Sequence, residues 1–351
     1  MSITSLARPE IQALHAYDAA EQVDDTVRLN ANELPAISSV GNFRRPLNRY
    51  PEVRPQRLQA ALSRRFGCAS DQLLVTRGSS EAIDLIIRTF CRAQVDSILA
   101  PSPSFSMYRH YAELQGAGVI DVATLRERDF AIDVERMLAA CNDVTKVIFV
   151  CSPNNPTGTP LPRAELHRLL AERCDNSVVV VDEAYIEFGE QPSAIDLLGE
   201  YPNLLVLRTL SKALGFAGAR CGAVAGAKGV IELLSAVQAP YALATPVVEC
   251  VEDALDTEQL AIAAVTLVLT ERLRIMDAVA DFDFVSKVWP SDANFFLIRT
   301  VDAAAIVEHC KVHKVLLRHF GGELSDCIRI TVGSPSDNDA LLSALNSFGK
   351  D

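Results

Sequence analysis

The sequence predicts an α/β protein: a mostly parallel sheet covered by helices, followed by a smaller α+β unit. Three observations carry this. Val147–Cys151, Val178–Val181 and Leu204–Leu207 are short, unbroken apolar runs, as expected of strands buried on both faces. Between about residues 57 and 226 helical and strand periods alternate, the pattern of parallel sheets with crossover helices. After about Thr245 the character changes to long helical sequence and then a shorter alternation. The expected division is an arm over residues 1–40 packing with the smaller unit, a large unit over 41–246 and a small unit over 247–351.

In chain order, Arg57–Phe66 reads as an amphipathic helix and Gln72–Thr76 as a strand. Gly78 then turns the chain into a helix over Ser79–Phe90. Ser97–Ala100 is strand-like, Pro101–Ser104 a turn, and Phe105–Leu114 helical. The three apolar runs follow. Val247–Asp281 reads as long helical sequence, then a strand (Asn294–Arg299), a helix (Ala303–Lys314), a strand (Ile328–Val332) and a last helix (Ser336–Phe348).

A net charge of -12 disfavours nucleic acid or an acidic membrane as partner, because the average surface repels both. The first residues lack the apolar core of a signal peptide, and apolar stretches such as Ala261–Leu269 are too short to span a bilayer. Nine cysteines without a C-x-x-C pair suggest scattered reduced thiols. A cytoplasmic protein is expected. His309 and His313 stand at a zinc-compatible spacing, but no third ligand is evident and no metal is expected.

Ligands of open parallel sheets bind at the carboxyl ends of strands, and four polar clusters fall there. Thr76-Arg77-Gly78-Ser79-Ser80-Glu81 offers helix-start N–H groups and two hydroxyls to an anion, although an ordinary Ser-capped helix reads the same way. Cys151 to Gly158, with two prolines around Asn154 and Asn155, fixes a rigid loop that holds an amide towards a ligand; a plain turn is the simpler alternative. Asp182 ends a run of four valines, where a carboxylate is costly without a cation or donors. A protonated pyridine nitrogen suits it, as does an arginine in a structural ion pair. Tyr185 follows three residues later. Lys212 lies past another buried strand among small and apolar residues. Lysines there are usually solvated, yet one partly desolvated beside cations is nucleophilic as the free amine. Arg220, eight residues on, would neutralise a phosphate beside Ser211.

Together these residues resemble the fold-type I pyridoxal phosphate (PLP) dependent aminotransferases, in their histidinol-phosphate branch. The match runs in order over most of the chain: Leu29 to Glu33, Asn48 to Glu52, Cys151 to Gly158, Val181 to Glu187, Arg208 to Lys212, Arg220 to Gly222, and Ile328 to Gly333. The resemblance implies a PLP enzyme in which Lys212 forms the Schiff base and moves the proton between Cα and C4'. Asp182 would pair with the pyridinium, Asn155 and Tyr185 would hold the 3'-oxygen, and Tyr108 would stack on the ring. Ser79, Ser80, Thr209, Ser211 and Arg220 would bind the cofactor, mostly at its phosphate. Tyr50 would reach that phosphate from a neighbouring subunit, which implies a homodimer. Ser79-Ser80 departs from the Ala-Asp pair common in the family, a change that a cradle of backbone N–H groups survives.

For substrates the resemblance implies L-histidinol phosphate and 2-oxoglutarate, in histidine biosynthesis. Arg329 and Arg318 would grip phosphate or carboxylate, two guanidiniums suiting a dianion. A solvated strand-end charge is the plainer reading of Arg318. Tyr17 and Asn32, from the arm, would complete the substrate site. Three alternatives remain: an aminotransferase for aromatic amino acids, a threonine-phosphate decarboxylase, and a PLP-sensing regulator, whose DNA-binding module has no room before residue 40.

Overall fold

The four valines of 178–181 show why the centre of the molecule is a sheet covered on both sides. Side chains alternate along a strand. Val178 and Val180 therefore join one buried cluster, with Ile83, Phe90 and Leu234, while Val179 and Val181 join another, with Leu62, Leu169 and Val248. The computed structural model describes residues 2–16, 22, 30–32, 43–255 and 258–349. Its large sheet has seven strands: β1 (Leu73–Thr76), β2 (Ser97–Ser102), β3 (Gly118–Ala123), β4 (Thr145–Cys151), β5 (Val178–Asp182), β6 (Leu204–Thr209) and β7 (Gly222–Gly226). Their order is β1-β7-β6-β5-β4-β2-β3. Every pair is parallel except those of β7, which is antiparallel to β1 and β6.

The helices up to residue 255 are α1 (Pro9–Gln12), α2 (Gln56–Phe66), α3 (Ser79–Phe90), α4 (Met107–Gln115), α5 (Val134–Ala140), α6 (Arg163–Glu172), α7 (Lys228–Val237) and α8 (Thr245–Leu255). Buried residues of α3, α4 and α7 cover one face of the sheet, and those of α2, α5, α6 and α8 the other. The glycines of β7 allow close approach. A Cβ on Gly222 would lie 2.7 Å from the Arg208 carbonyl oxygen and 3.0 Å from Gly78 Cα. That contact draws the turn after β1 against the ends of β6 and β7.

Then come α9 (Glu258–Ala280), β8 (Val285–Val288), β9 (Phe295–Thr300), α10 (Ala303–Val312), β10 (Arg318–His319), β11 (Cys327–Thr331) and α11 (Pro335–Ser347). The four strands form an antiparallel sheet of order β10-β11-β9-β8. Ile275, Phe296, Ile306, Ile328 and Leu345 fill its core.

Two details differ from the sequence expectation. The helical stretch from Val247 to Asp281 is two helices. Val248 and Val251 of α8 pack under the large sheet, whereas Ile275 and Val279 of α9 belong to the small core. The start of the arm lies on the large unit instead of the small one. Ile3 and Ala7 are buried in the large core, and the Arg8 backbone N–H donates to Thr89 O at 3.0 Å. Apolar residues at positions 3 and 7 find their cover on α3 and α7. Most of residues 17–40 lie outside the described residues, Tyr17 among them.

Candidate active site

The carboxyl ends of β2, β4, β5 and β6 open on a cavity of 830 Å³, closed on its far side by β10, β11 and the loop after β10. Asp182, the last residue of β5, is 2% exposed. Tyr108 donates from its hydroxyl to Asp182 Oδ2 at 2.8 Å, and the Ala184 N–H donates to Oδ1 at 3.1 Å. Among the described residues no arginine or lysine lies within ion-pair distance of it, so the structural ion pair weighed from the sequence is not formed. Burial pushes the Asp182 carboxyl up to about 6; the Tyr108 hydroxyl, the Ala184 amide and the Lys212 charge pull the other way. The site is thus short of one cation at its buried end.

Lys212 lines the same cavity, its Nζ 5.6 Å from the centre of the Tyr185 ring. Its pKa is lowered, first by desolvation and then by Arg329 and Arg220. The side chain is nonetheless open to the cavity, so it is reachable and crowded at once. A lysine in that setting holds more of the free amine, the form that condenses with a carbonyl.

Opposite Asp182 is an anion cradle. Gly78, at φ +76°, turns the chain into α3 with no side-chain cap, so the plain Ser-cap reading of Ser79 fails. Glu81 is drawn back to Arg77, whose backbone N–H donates to it at 2.6 Å. Ser79, Ser80, Thr209, Ser211 and Arg220 line the cavity. The Arg220 guanidinium lies so close over Gly78 that a Cβ there would stand 2.9 Å from Nη2. Arg220 Nη1 donates to Ala217 O at 3.1 Å and reaches Ser211 Oγ at 3.5 Å, and no carboxylate among the described residues pairs with it. Helix-start N–H groups, hydroxyls and an uncompensated guanidinium are donors that suit an anion such as a phosphate.

Asn155 joins this floor to the far wall. Its Nδ2 donates to the Tyr185 hydroxyl at 3.1 Å, and Arg329 Nη1 donates to its Oδ1 at 2.5 Å. Asn154 braces the loop from below, donating to Pro103 O and Thr157 Oγ1, both at 2.9 Å. Arg318 and Arg329 are direct partners across β10 and β11. Their guanidinium carbons stand 5.6 and 5.9 Å from the Phe320 ring centre. Burial lowers the pKa of Arg329, and the Arg318 charge adds to that.

Several expected residues are placed differently. Tyr108 is 1% exposed, its ring stacked on Phe149 at 4.6 Å, and its hydroxyl spent on Asp182. It nonetheless lines the cavity. Phe105, three residues earlier and half-buried, lines the cavity beside it from the loop. Sequence reasoning missed it, although an aromatic in the turn after a parallel strand was the available signal. Phe320, between the two arginines, was missed also. Tyr50 and Asn32 are exposed and outside this lining; Tyr50 stacks on Tyr241 at 4.7 Å. His309 and His313 belong to packing, with His309 Nε2 2.9 Å from Ser347 Oγ.

Sheet, crossovers and cavity define a fold-type I transferase, and the family model "Aminotransferase class I and II" matches residues 17–345. The chain belongs to that family. Within it, the chain is 40% identical to histidinol-phosphate aminotransferase 1 of Haemophilus influenzae (strain 86-028NP), over 98% of this chain and 99% of that protein. It is 41% identical to the histidinol-phosphate aminotransferase of Xanthomonas campestris (strain ATCC 33913), over 98% and 97%. A crystal structure of a putative histidinol-phosphate aminotransferase from Erwinia carotovora atroseptica superposes with a TM-score of 0.79 at 25% identity, over 87% and 88% of the chains. Pyridoxal phosphate is the cofactor of the family. The residues present fit it: a lysine whose pKa is lowered by burial and by Arg329 and Arg220, a buried carboxylate lacking a cation, and an anion cradle without a carboxylate.

Proposed function

We propose that this chain transfers the amino group of L-histidinol phosphate to 2-oxoglutarate, giving imidazole acetol phosphate and glutamate. The observation that carries this is the pair Arg318 and Arg329, side by side across two strands with no carboxylate partner among the described residues. Two guanidiniums suit a dianionic phosphate monoester better than a single carboxylate. The relatives' names agree with that reading.

When bound, pyridoxal phosphate supplies an electron sink for the bonds at the donor's Cα. The chain's own part follows from its residues. Ser79, Ser80, Thr209, Ser211 and Arg220 hold the cofactor phosphate. Asp182 keeps the ring nitrogen protonated, a preorganised charge in a dry site. Asn155 and Tyr185 would hold the 3'-oxygen, and Tyr108, with Phe105 beside it, would cover the ring. Lys212 Nζ, which reaches this cavity, would take the proton from the donor's Cα. Arg318 and Arg329 fix the phosphate of the donor and then the carboxylates of 2-oxoglutarate, so one site serves both halves of a ping-pong cycle. Asn32 would add to the substrate site, as would Tyr17, which lies outside the described residues.

The same reading makes the protein a cytoplasmic homodimer in histidine biosynthesis. Phe43, Leu47 and Tyr50 are 38%, 50% and 51% exposed along one segment, an apolar strip that a second copy would cover. Tyr50 would then reach the partner's cofactor phosphate. No helix among the described residues is long and apolar enough to cross a membrane. A large cofactor-binding unit and a small unit make up the chain, with α8 belonging to the large one.

Steady-state assays with L-histidinol phosphate, phenylalanine and threonine phosphate test the substrate. The expected result is a kcat/KM for L-histidinol phosphate at least roughly 10²-fold above that for phenylalanine, the scale set by one or two charge-assisted hydrogen bonds. A preference for phenylalanine, or release of carbon dioxide from threonine phosphate, would overturn it.

A further inference from the structure

Behind the cavity lies a buried charge network that the reaction above does not use. Glu183 follows Asp182 and is 2% exposed, Glu187 lies two residues after Tyr185, and Arg208 lies four residues before Lys212. Arg208 Nη2 donates to Glu187 Oε1 at 2.6 Å, and Nη1 reaches Glu183 Oε2 at 3.4 Å. Ser193 Oγ donates to Glu183 at 2.6 Å and the Ala194 N–H at 2.5 Å, while the Glu183 N–H donates to Leu207 O at 3.0 Å. The Arg208 guanidinium also lies on the Phe66 ring, 4.7 Å from its centre. Arg208 Nε is buried with no partner. Burial raises the pKa of Glu183, and Arg208 is the foremost opposing influence.

We propose that Arg208 is a positioning residue: its guanidinium locks the strand end that carries Lys212 to the turn that carries Tyr185. A buried ion network is no more stabilising than apolar residues of the same volume, so stability alone does not explain an arginine here. What the fork supplies is fixed geometry between two chain segments, beside the backbone bond from the Glu183 N–H to Leu207 O. The segment after β5 carries Asp182 and Tyr185; the segment after β6 carries Thr209, Ser211 and Lys212. Lys212 and Tyr185 would serve neighbouring substituents of one ring, and a shift of about 1 Å in such a site costs up to about 10²-fold in rate. The proposal rests on the reading of this cavity as the cofactor site, and not on which donor is used.

Three variants test it: Arg208→Met, Arg208→Lys and Glu187→Gln. Each is loaded with pyridoxal phosphate, and the pH midpoint of the Lys212-dependent cofactor absorbance band is measured beside kcat and KM. Arg208→Met is expected to lower kcat roughly 10- to 100-fold with KM for the donor within about 3-fold. It should move the midpoint by about one pH unit in the same direction as Tyr185→Phe. Arg208→Lys, which can hold one carboxylate but not two, should fall between it and the unaltered protein. If Arg208→Met does not fold, Glu187→Gln decides, with a smaller shift of the same sign. An unaltered midpoint and kcat in a folded Arg208→Met or Glu187→Gln protein would overturn the proposal. Absence of a band that Lys212→Ala abolishes would instead overturn the cofactor reading itself.

Discussion

On the floor of the cavity, Asp182 and Tyr185 follow a strand buried on both faces and are 2% and 7% exposed. On the far wall, Arg318 and Arg329 project from a small antiparallel sheet, and Arg318 is exposed. The floor is crowded, each polar group held by a named neighbour: Asp182 by Tyr108 and Ala184, Tyr185 by Asn155. The wall holds two like charges side by side, both against Phe320, with Arg329 also on the Phe295 ring and bonded to Asn155. On the proposed function, the floor would hold one fixed group with a ring nitrogen and a phosphate, and the wall an anion that comes and goes. Chemistry and substrate choice would then be divided between two sheets that meet at Asn155.

If the division is real, floor variants lower kcat and wall variants raise KM. Lys212→Ala is expected to reduce amino transfer by roughly 10⁴-fold or more, since no other amine reaches the reacting atoms. Asp182→Asn should cost roughly 10²- to 10³-fold in kcat, the scale for one preorganised charge. The same variant tests stability. The Asp182 carboxyl stands near 6 in the fold and near 3.8 when unfolded, so the native state holds the extra proton between those values. Its contribution is fully present below about pH 4 and is lost as pH rises through 6, by up to about 3 kcal/mol. Cofactor-free protein should show this loss in chemical denaturation, and Asp182→Asn should remove it.

Arg329→Ala belongs to the wall. It should raise KM for the phosphate donor roughly 10- to 100-fold and change kcat less, as for one charge-assisted contact. An equal fall in kcat would place Arg329 with the floor, through its bond to Asn155. The two aromatics give the smallest effects and separate their roles. Phe105→Ala should weaken cofactor retention about 3- to 10-fold, the scale of one aromatic stack. Tyr108→Phe should leave retention nearly unaltered and raise the Asp182 pKa further, because it deletes a hydrogen bond to the ionised form.

The floor was legible in the sequence because its residues follow unbroken apolar strands, where a carboxylate or a lysine stands out. The cluster after each of β1, β4, β5 and β6 lies on the cavity. The wall was harder to read. β10 is two residues long, with no periodicity to mark it, and only pairing with β11 sets Arg318 beside Arg329. Spacing could not say that Phe105 and Tyr108 both line the cavity, the first half-buried on the loop and the second fully buried in the first turn of α4. β7, Gly-Ala-Val-Ala-Gly, is held by its neighbours more than by strand propensity. The apolar positions of the helical stretch after Thr245 did not reveal that its two halves serve different cores.

The most direct measurement adds one equivalent of L-histidinol phosphate to the cofactor-loaded protein without an acceptor and follows the absorbance. The account predicts full conversion of the cofactor to its amine form, reversal on adding 2-oxoglutarate, and no conversion in Lys212→Ala. Failure to convert with L-histidinol phosphate, while phenylalanine does convert, would contradict it.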